Sequence, residues 1–205
     1  MNILVTAGPT REKIDPVRFI TNHSSGRMGY AIAAAAIEAG HQVTLISGPV
    51  SITPPDGAKV VNVVSAADMA EAVHSLAPLA DAVIMSAAVA DYRPANPWDS
   101  KIKKLPGNLT LTLERTEDIL ASLGANKTPG QLLIGFAAET DDLEQNAMGK
   151  LERKNLDWIA ANLASDGFGT DTNKITLYSR SGQKIPLPSG KKIDVAREML
   201  KVILT

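Results

Sequence analysis

Strand-length apolar runs alternate with helix-like segments along most of the chain, and this alternation restricts the fold more than any other feature. Several runs are hydrophobic at successive positions, as expected for parallel strands that are covered on both faces. The alternation predicts an open, doubly wound, mainly parallel α/β sheet of the Rossmann-like class. The predicted strands are Ile3–Thr6, Val43–Ser47, Val60–Val64, Ala82–Ser86, Leu132–Phe136 and Trp158–Ala161, and the predicted helices are Met28–Ala39, Ala66–Leu76, Asp118–Leu123 and Leu143–Lys154.

Two segments do not fit this alternation. Residues 108–113 alternate leucine with asparagine or threonine, which is typical of a half-buried strand. Residues 174–178 and 183–187 flank a Ser-Gly pair and predict a β-hairpin. We expect this strand and hairpin to lie outside the central sheet, as an appendage or an oligomer arm. Residues 166–172 are a predicted loop and not a linker, so a single domain over residues 1–205 is expected.

The composition excludes several classes of protein and of site. The 205 residues contain no cysteine, which rules out disulfides and thiolate chemistry and fits a cytoplasmic location. Basic and acidic side chains number 21 and 22, so charge gives no reason to expect nucleic acid or a membrane as a partner. The three histidines lack metal-ligand spacing. No stretch resembles a signal peptide or a membrane span.

The first predicted strand is followed by a long loop, residues 8–25, in place of the tight glycine-rich turn of a dinucleotide fold. The loop ends in small and hydroxyl residues directly before an alanine-rich helix. Main-chain N–H groups and the helix dipole at such a terminus can bind an anion, so Ser24, Gly26 and Gly29 are candidate phosphate contacts. The alternative is that Ser24 or Ser25 caps the helix and the glycines permit close packing on the sheet.

Two further segments follow predicted strands at their carboxyl ends, where ligands bind in open α/β sheets. Residues 86–88 are small enough for a flat base or an extended chain to approach the backbone, and Asp91 offers hydrogen-bond acceptors. The alternative is a packed loop in which Asp91 pairs with Arg93. Phe136 closes the fifth strand, where an aromatic ring can stack on a base or belong to the core.

Two groups of lysines are candidates for a polyphosphate site. Lys101, Lys103 and Lys104 place three cations within four residues, and Lys150 and Lys154 share one helix face through their i,i+4 spacing. Phosphoryl and nucleotidyl transfer need positive charge where the transition state develops negative charge. A solvated surface is the alternative for both groups.

Seven segments of the chain, taken together and in order, resemble bacterial phosphopantothenoylcysteine synthetase. They read TAGPT (6–10), DPVR (15–18), NHSSG (22–26), AAVADY (87–92), KIKK (101–104), GFAAET (135–140) and KNLD (154–157). In many bacteria this unit is the C-terminal half of a bifunctional protein whose N-terminal half is a flavin-dependent phosphopantothenoylcysteine decarboxylase. The resemblance therefore implies either a free-standing synthetase or an excised domain.

The resemblance implies a ligase of coenzyme A biosynthesis that joins 4′-phosphopantothenate to L-cysteine. Such enzymes use CTP with Mg²⁺ to convert the carboxylate to an acyl-cytidylate, releasing pyrophosphate, and the amine of cysteine then displaces CMP. Because the nucleotide supplies the leaving group, the protein mainly positions reactants and stabilises charge. A homodimer is implied, with the extra β segments at its interface. Magnesium is expected to arrive on the triphosphate, and its protein ligands stay unknown.

Matched position by position, the resemblance also implies which residues form the site. Those lining the nucleotide phosphates would be Gly8, Ser24, Gly26 and Gly29. Those around the nucleoside would be Met85, Ser86, Ala87, Asp91, Glu117, Asp118, Ile119, Leu120, Phe136, Lys150 and Lys154. Lys101 would contact the nucleotide and assist formation of the acyl-cytidylate. Asn22, with Ala87 and Ala88, would contact phosphopantothenate and the intermediate. Relatives often carry proline in place of Glu117, which favours a main-chain contact there.

Two rival functions remain open at this point. An NAD(P)-dependent oxidoreductase would use the same kind of sheet, but the glycine fingerprint is missing, and residues 47–49 read Ser-Gly-Pro where an acidic ribose ligand is expected. A non-catalytic nucleotide-binding protein is the second rival, and catalytic turnover is what separates it from a ligase.

Overall fold

The structure is a computed structural model that describes residues 1–104, 106–167 and 169–205. Its strands are β1 (Asn2–Ala7), β2 (Arg11–Asp15), β3 (Arg18–Thr21), β4 (Gln42–Ser47), β5 (Lys59–Asn62), β6 (Ala82–Met85), β7 (Tyr92–Pro94), β8 (Leu113–Arg115), β9 (Leu132–Glu139), β10 (Trp158–Leu163), β11 (Thr172–Asn173), β12 (Thr176–Ser179), β13 (Lys184–Pro186) and β14 (Gly190–Lys191). Its helices are α1 (Arg27–Glu38), α2 (Ala66–Leu76), α3 (Ile119–Ala125), α4 (Leu143–Arg153), α5 (Ala164–Gly167) and α6 (Lys192–Ile203), with a short 3-10 turn at Ala77–Leu79.

The central sheet has eight strands in the order β13-β12-β10-β9-β6-β1-β4-β5. The six strands from β10 to β5 are parallel to their neighbours. Numbered by their appearance in the chain, those six strands follow the 3-2-1-4-5-6 order of a doubly wound sheet. The predicted fold class is therefore confirmed. The strand order reverses between β1 and β6, and this switch point is where such sheets bind ligands.

Helices cover both faces of the sheet, which explains why its strands are hydrophobic at successive positions. In β1, Ile3 and Val5 pack on the face that carries α1 and α6, and Leu4 packs on the face that carries α2, α3 and α4. All three side chains are almost fully buried. None of the helices in the described ranges is long and apolar enough to cross a membrane.

The predicted strand at residues 108–113 is wrong. In the structure only its last residue, Leu113, belongs to a strand, and Leu109 and Leu113 are exposed. An alternating pattern gives a half-buried strand only where its apolar face meets a core, and nothing in the described chain covers these leucines. The predicted long loop at residues 8–25 also needs correction, because it contains the antiparallel pair β2–β3.

The predicted C-terminal hairpin is confirmed, but its place differs from the expectation. Strands β12 and β13 pair with each other, and β12 pairs antiparallel with β10, so the hairpin extends the central sheet and is not an appendage. Leu177 and Tyr178 are buried on opposite faces of that sheet. The sequence prediction also missed α6, and it took residues 166 and 167 for a loop although they end the short helix α5.

Candidate functional site

A cleft of about 280 Å³ lies at the switch point of the sheet. Its walls come from the start of α1, from residues 86–91 after β6, from the carboxyl ends of β9 and β10, and from the start of α6. Arg27, Lys150 and Lys192 bring three positive charges to its lining, and Asp91 brings one negative charge. The lining of the cleft therefore has a net positive charge, which favours an anionic ligand.

Glycines allow the end of β1, the start of α1 and the segment after β6 to approach one another closely. Gly8 and Gly26 have φ angles of 78° and 77°, in the left-handed region that favours glycine. A Cβ atom on Gly29 would lie 2.5 Å from the Cβ of Ala7 and 2.7 Å from the Oγ of Ser86. The interpretation of close packing on the sheet is thus correct for Gly29, and it brings the α1 terminus to the cleft.

The interpretation of Ser24 or Ser25 as a helix cap is wrong. Gly26 occupies the N-cap position of α1, and no side chain in the described chain caps it. The Oγ atom of Ser24 instead accepts a hydrogen bond from the Gly26 N–H at 3.3 Å. Because the first turn of α1 holds no acidic side chain, its dipole is free to act on a bound anion.

The segment after β6 is held against the segment after β1 by a series of hydrogen bonds. Ser86 Oγ donates to the carbonyl of Thr6 at 2.8 Å, the Ala88 N–H donates to the carbonyl of Gly8 at 2.9 Å, and the Ala90 N–H donates to Thr10 Oγ1 at 3.0 Å. This pairing makes a fixed floor of small residues beneath the cleft.

Asp91 faces the cleft and does not pair with Arg93, so the predicted alternative for Asp91 is wrong. The Nε of Arg93 donates to Glu114 at 2.8 Å instead. Asn22 lies at the rim of the cleft, where its Nδ2 donates to the carbonyl of Ala88 at 2.9 Å. Its side chain therefore stands beside the residues that line the cleft without being one of them.

Phe136 on β9 and Lys150 on α4 bring an aromatic ring and a cation to the lining of the cleft, whereas Lys154 and Asp118 lie outside that lining. Lys150 Nζ donates to the carbonyl of Phe136 at 3.3 Å, and Lys154 Nζ donates to Asp118 at 2.8 Å. Burial, followed by the charge of Lys154, lowers the pKa of Lys150. Burial raises the pKa of Asp118, but hydrogen bonds from Lys154 and from the Ala121 N–H outweigh that effect, so the pKa is lowered overall. Lys150 is thus a partly desolvated cation that gains from a nearby anion.

Four other residues expected near a nucleoside expose little side chain to the cleft. Met85, Ile119 and Leu120 are buried in the core. Glu117 turns toward α2, where it lies 2.7 Å from His74 Nε2. None of these four residues is in the lining of the cleft, so their predicted contacts with a nucleoside stay a prediction.

Lys101 is not brought to this cleft. It lies on an exposed loop that borders a second cleft, lined also by Arg18, Lys103 and Lys104. The loop is tied to the β2–β3 pair, since Asp15 Oδ2 accepts from the Ile102 N–H at 3.1 Å and Arg18 donates to the Ile102 carbonyl at 2.9 Å. Within this single chain, the basic loop and the switch-point cleft are separate.

Among the residues that line the cleft, the sequence interpretation assigned no role to the charged and amide side chains of Arg27, Asn162, Asn173 and Lys192. Arg27 adjoins the predicted anion site and could have been included with it. Asn162 follows directly on a predicted strand, in the same relation to the sheet as Phe136, and this signal was overlooked. Asn173 and Lys192 carry no local signal, because they reach the cleft only when the C-terminal third of the chain folds back.

The side chains that the structure describes form no preformed cage for a metal ion. In the three described ranges there is no group of three or more histidine, aspartate and glutamate side chains placed to hold one. This finding concerns the protein side chains alone, and a cation carried in by a phosphate ligand would bring most of its own coordination.

Residues 1–205 match the family described as DFP, the DNA/pantothenate metabolism flavoprotein C-terminal domain. The chain belongs to this family. This DFP domain is 52% identical over 206 residues to the coenzyme A biosynthesis bifunctional protein CoaBC of Bacillus subtilis, and the match covers 98% of this chain and 50% of that protein. The chain therefore spans about half the length of the curated relatives it matches.

Solved structures support the same assignment of this DFP domain. A crystal structure of the C-terminal domain of CoaBC is 50% identical, matches with a TM-score of 0.84, and covers 98% of this chain and 92% of that one. A Cab2 mutant in complex with phosphopantothenate-cysteine matches with a TM-score of 0.81 at 18% identity, covering 99% of this chain and 85% of that one. At that identity the likeness concerns the fold alone.

The close approach at Gly29 generates a prediction for the DFP domain. Gly29→Ala places a methyl group against Ala7, which is fixed in β1, so the first turn of α1 must move outward. We expect the free energy of unfolding to fall by about 1–3 kcal/mol, measured by urea denaturation. Gly190→Ala is the matched control, since its methyl group meets no atom within 4 Å, and it should leave stability unchanged. Equal stability of the two variants would contradict the close packing.

Proposed function

We propose that this domain is a phosphopantothenate–cysteine ligase that uses CTP and passes through an acyl-cytidylate. One observation carries the proposal: the uncapped α1 terminus, the small residues 86–88 and the pair Phe136 and Lys150 converge on one cleft at the switch point. The first of these suits phosphates, the second an extended acyl chain, and the third a base. Membership of the DFP family and the similarity to CoaBC support the choice of substrates.

The proposed reaction has two steps. A carboxylate oxygen of 4′-phosphopantothenate attacks the α-phosphorus of CTP, and the bond to the β-phosphate breaks with release of pyrophosphate. The amine of L-cysteine then attacks the acyl carbon, loses a proton, and displaces CMP as the C–O bond to phosphate breaks. Both steps transfer a group activated by the nucleotide, so the chain needs to orient the reactants and balance negative charge.

Residues of the cleft have separate tasks in this proposal. Gly8, Ser24, Gly26 and Gly29 form the surface on which the triphosphate lies at the start of α1. Lys150 has a lowered pKa because of burial, and a phosphate beside it would favour its charged form. Mg²⁺ enters with the triphosphate as part of the nucleotide substrate, since it is commonly bound by phosphates and only one or two carboxylates. We assign it no protein ligand.

We also propose that the domain works as a homodimer. Six of the nine large hydrophobic side chains that the described chain exposes lie on the β2–β3 and β7–β8 pairs and their connections, namely Val17, Phe19, Tyr92, Trp98, Leu109 and Leu113. The two pairs are in contact through β2 and β7. An apolar surface of this kind calls for a covering partner. A second copy would also give the Lys101 loop a cleft to act on, and light scattering should report twice 21.7 kDa.

The cellular setting follows from the same proposal. Fusion to, or association with, a flavin-dependent phosphopantothenoylcysteine decarboxylase would account for relatives of about twice this length. The lack of cysteine fits the reducing cytoplasm. The end of β4 argues against an NAD(P)-dependent oxidoreductase. Such an enzyme needs a side chain there that binds the ribose, but Ser47 is buried and its Oγ lies 2.9 Å from the Tyr30 hydroxyl.

Release of pyrophosphate tests the proposed function. The purified domain is given 4′-phosphopantothenate with CTP or ATP, in the presence and absence of L-cysteine. We expect pyrophosphate release that depends on phosphopantothenate, and CMP with phosphopantothenoylcysteine only when cysteine is present. A passive nucleotide-binding protein would release none. Absence of turnover from a folded sample that binds CTP would overturn the assignment as a ligase.

Lys101→Ala is expected to fold normally and to form the acyl-cytidylate at least a hundredfold more slowly. Loss of one charge from a transition state commonly costs on the order of 3 kcal/mol. Lys59→Ala removes another exposed lysine, on β5, and serves as the control. Single-turnover measurement of pyrophosphate separates the two variants. A rate for Lys101→Ala equal to that of the control would show that Lys101 is a solvated surface lysine without a role in the reaction.

Asn22→Asp should separate the two steps of the reaction. The amide donates to the Ala88 carbonyl, whereas an ionised carboxylate can only accept and adds negative charge beside the phosphates. We expect retained folding, some activation, slow conversion to product and accumulation of acyl-cytidylate, detected by rapid quench and mass spectrometry. Asn62→Asp, an exposed position at the end of β5, is the control. Unchanged turnover without a trapped intermediate would leave Asn22 with a structural role only.

A further inference from the structure

Lys192 is a buried lysine on which nothing in the proposed reaction yet depends. It begins α6, its residue is 7% exposed, and it lines the switch-point cleft. Its Nζ donates hydrogen bonds to three main-chain carbonyls, those of Gly167 at 3.0 Å, of Thr172 at 3.1 Å and of Thr170. The three N–H donors of an ammonium are thus all directed at one short stretch of chain.

Without those three hydrogen bonds, the position of the Lys192 ammonium would be electrostatically unfavourable. A cation in the first turn of a helix opposes the helix dipole, and burial removes water from the ammonium and lowers the pKa of Lys192. An apolar side chain would fill the same volume without either cost. The hydrogen bonds to the three carbonyls are therefore the interactions that a lysine provides here and an apolar side chain cannot.

Two of the three carbonyls, those of Thr170 and Thr172, belong to a short stretch of chain that contacts two helix termini, and the third belongs to Gly167, which ends α5. We call residues 169–172 the strap. Asp171 of the strap contacts both termini. Its carboxylate lies 3.0 Å from Nη1 of Arg27, the first residue of α1, and its carbonyl accepts from the main-chain N–H of Lys192, the first residue of α6, at 2.9 Å. Gly169 of the strap lines the cleft, so the strap forms part of its wall beside the α1 terminus.

We propose that Lys192 is a positioning residue that holds the strap as the wall of the cleft beside the α1 terminus. The ammonium does not touch the reacting atoms; it fixes the segment against which the phosphate end of the nucleotide lies. This inference rests on the proposed function for the identity of the nucleotide. Its structural content, that Lys192 orders the strap, is independent of that function.

Three variants test the role of Lys192. Lys192→Met removes the charge and the donors but keeps a long side chain. Lys192→Arg keeps the charge, but its planar fork does not reproduce the three directions of an ammonium. Lys191→Met is the matched control, because Lys191 is the exposed neighbour whose side chain is outside the cleft lining. Each variant is measured by amide hydrogen exchange and by steady-state kinetics with CTP and 4′-phosphopantothenate.

We expect both Lys192 variants to lose exchange protection in residues 169–173 while β1, β6 and β9 keep theirs. The KM for CTP should rise about tenfold or more, the usual effect of losing hydrogen bonds to a charged group, and the KM for phosphopantothenate should not change. Lys191→Met should match the wild type in every measurement.

Three results would overturn the inference. The first is normal strap protection and a normal KM for CTP in Lys192→Met. The second is a normal KM for CTP in Lys192→Arg while hydrogen-exchange protection of the strap is still lost, which would show that CTP binding depends on the positive charge and not on the order of the strap. The third is protection lost throughout the sheet with an unchanged KM for CTP, which would leave a purely structural lysine. If the wild type itself does not use CTP, the proposed function fails, and hydrogen exchange still decides whether Lys192 orders the strap.

Discussion

The contact between the start of α1 and the end of β1 is the constraint on which the rest of the site depends. A helix can enter a sheet this closely only where side chains are missing, and Gly29 provides that space beside Ala7 while Gly26 provides it beside Gly8. The contact places the positive end of the α1 dipole at the switch point. It also leaves room for residues 86–88 to pair with the segment after β1. A cleft for an anion follows from backbone packing before any charged side chain is added.

Charged side chains then adjust a cleft that packing has already formed. Lys150 is placed by α4 and held by a carbonyl of β9, and Lys192 is placed by α6 and held by carbonyls near the strap. Burial lowers the pKa of both lysines, and a phosphate beside either one would favour its charged form. In the proposed ligase, the protein would therefore bind the nucleotide with fixed dipoles and partly desolvated cations, which need little reorganisation when the nucleotide binds.

The separation of the Lys101 loop from the cleft is the second organising feature of the molecule. Asp15 is fully buried as a side chain and receives hydrogen bonds from Arg18 and from the Ile102 N–H, so the basic loop is tied to the β2–β3 pair. That pair also carries exposed apolar side chains such as Phe19. The surface proposed for dimerisation and the basic loop are thus parts of one unit, and assembly and catalysis would be linked through it.

The sequence by itself determined the doubly wound sheet, because strand-length runs that are apolar at successive positions alternate with helix-like segments, as expected for parallel strands covered on both faces. It also located the α1 terminus and Phe136, since both motifs are local and lie near strand ends, and Lys150, whose place on α4 follows from helical spacing. Only the tertiary structure decided where residues 108–113 and the C-terminal hairpin lie, whether Asp91 pairs with Arg93, and that Asn173 and Lys192 reach the cleft. Those outcomes depend on which surfaces meet after the chain folds back: Arg93, for example, pairs with the distant Glu114 and not with its near neighbour Asp91. A local pattern of side chains carries no information about contacts between segments that are far apart in the chain.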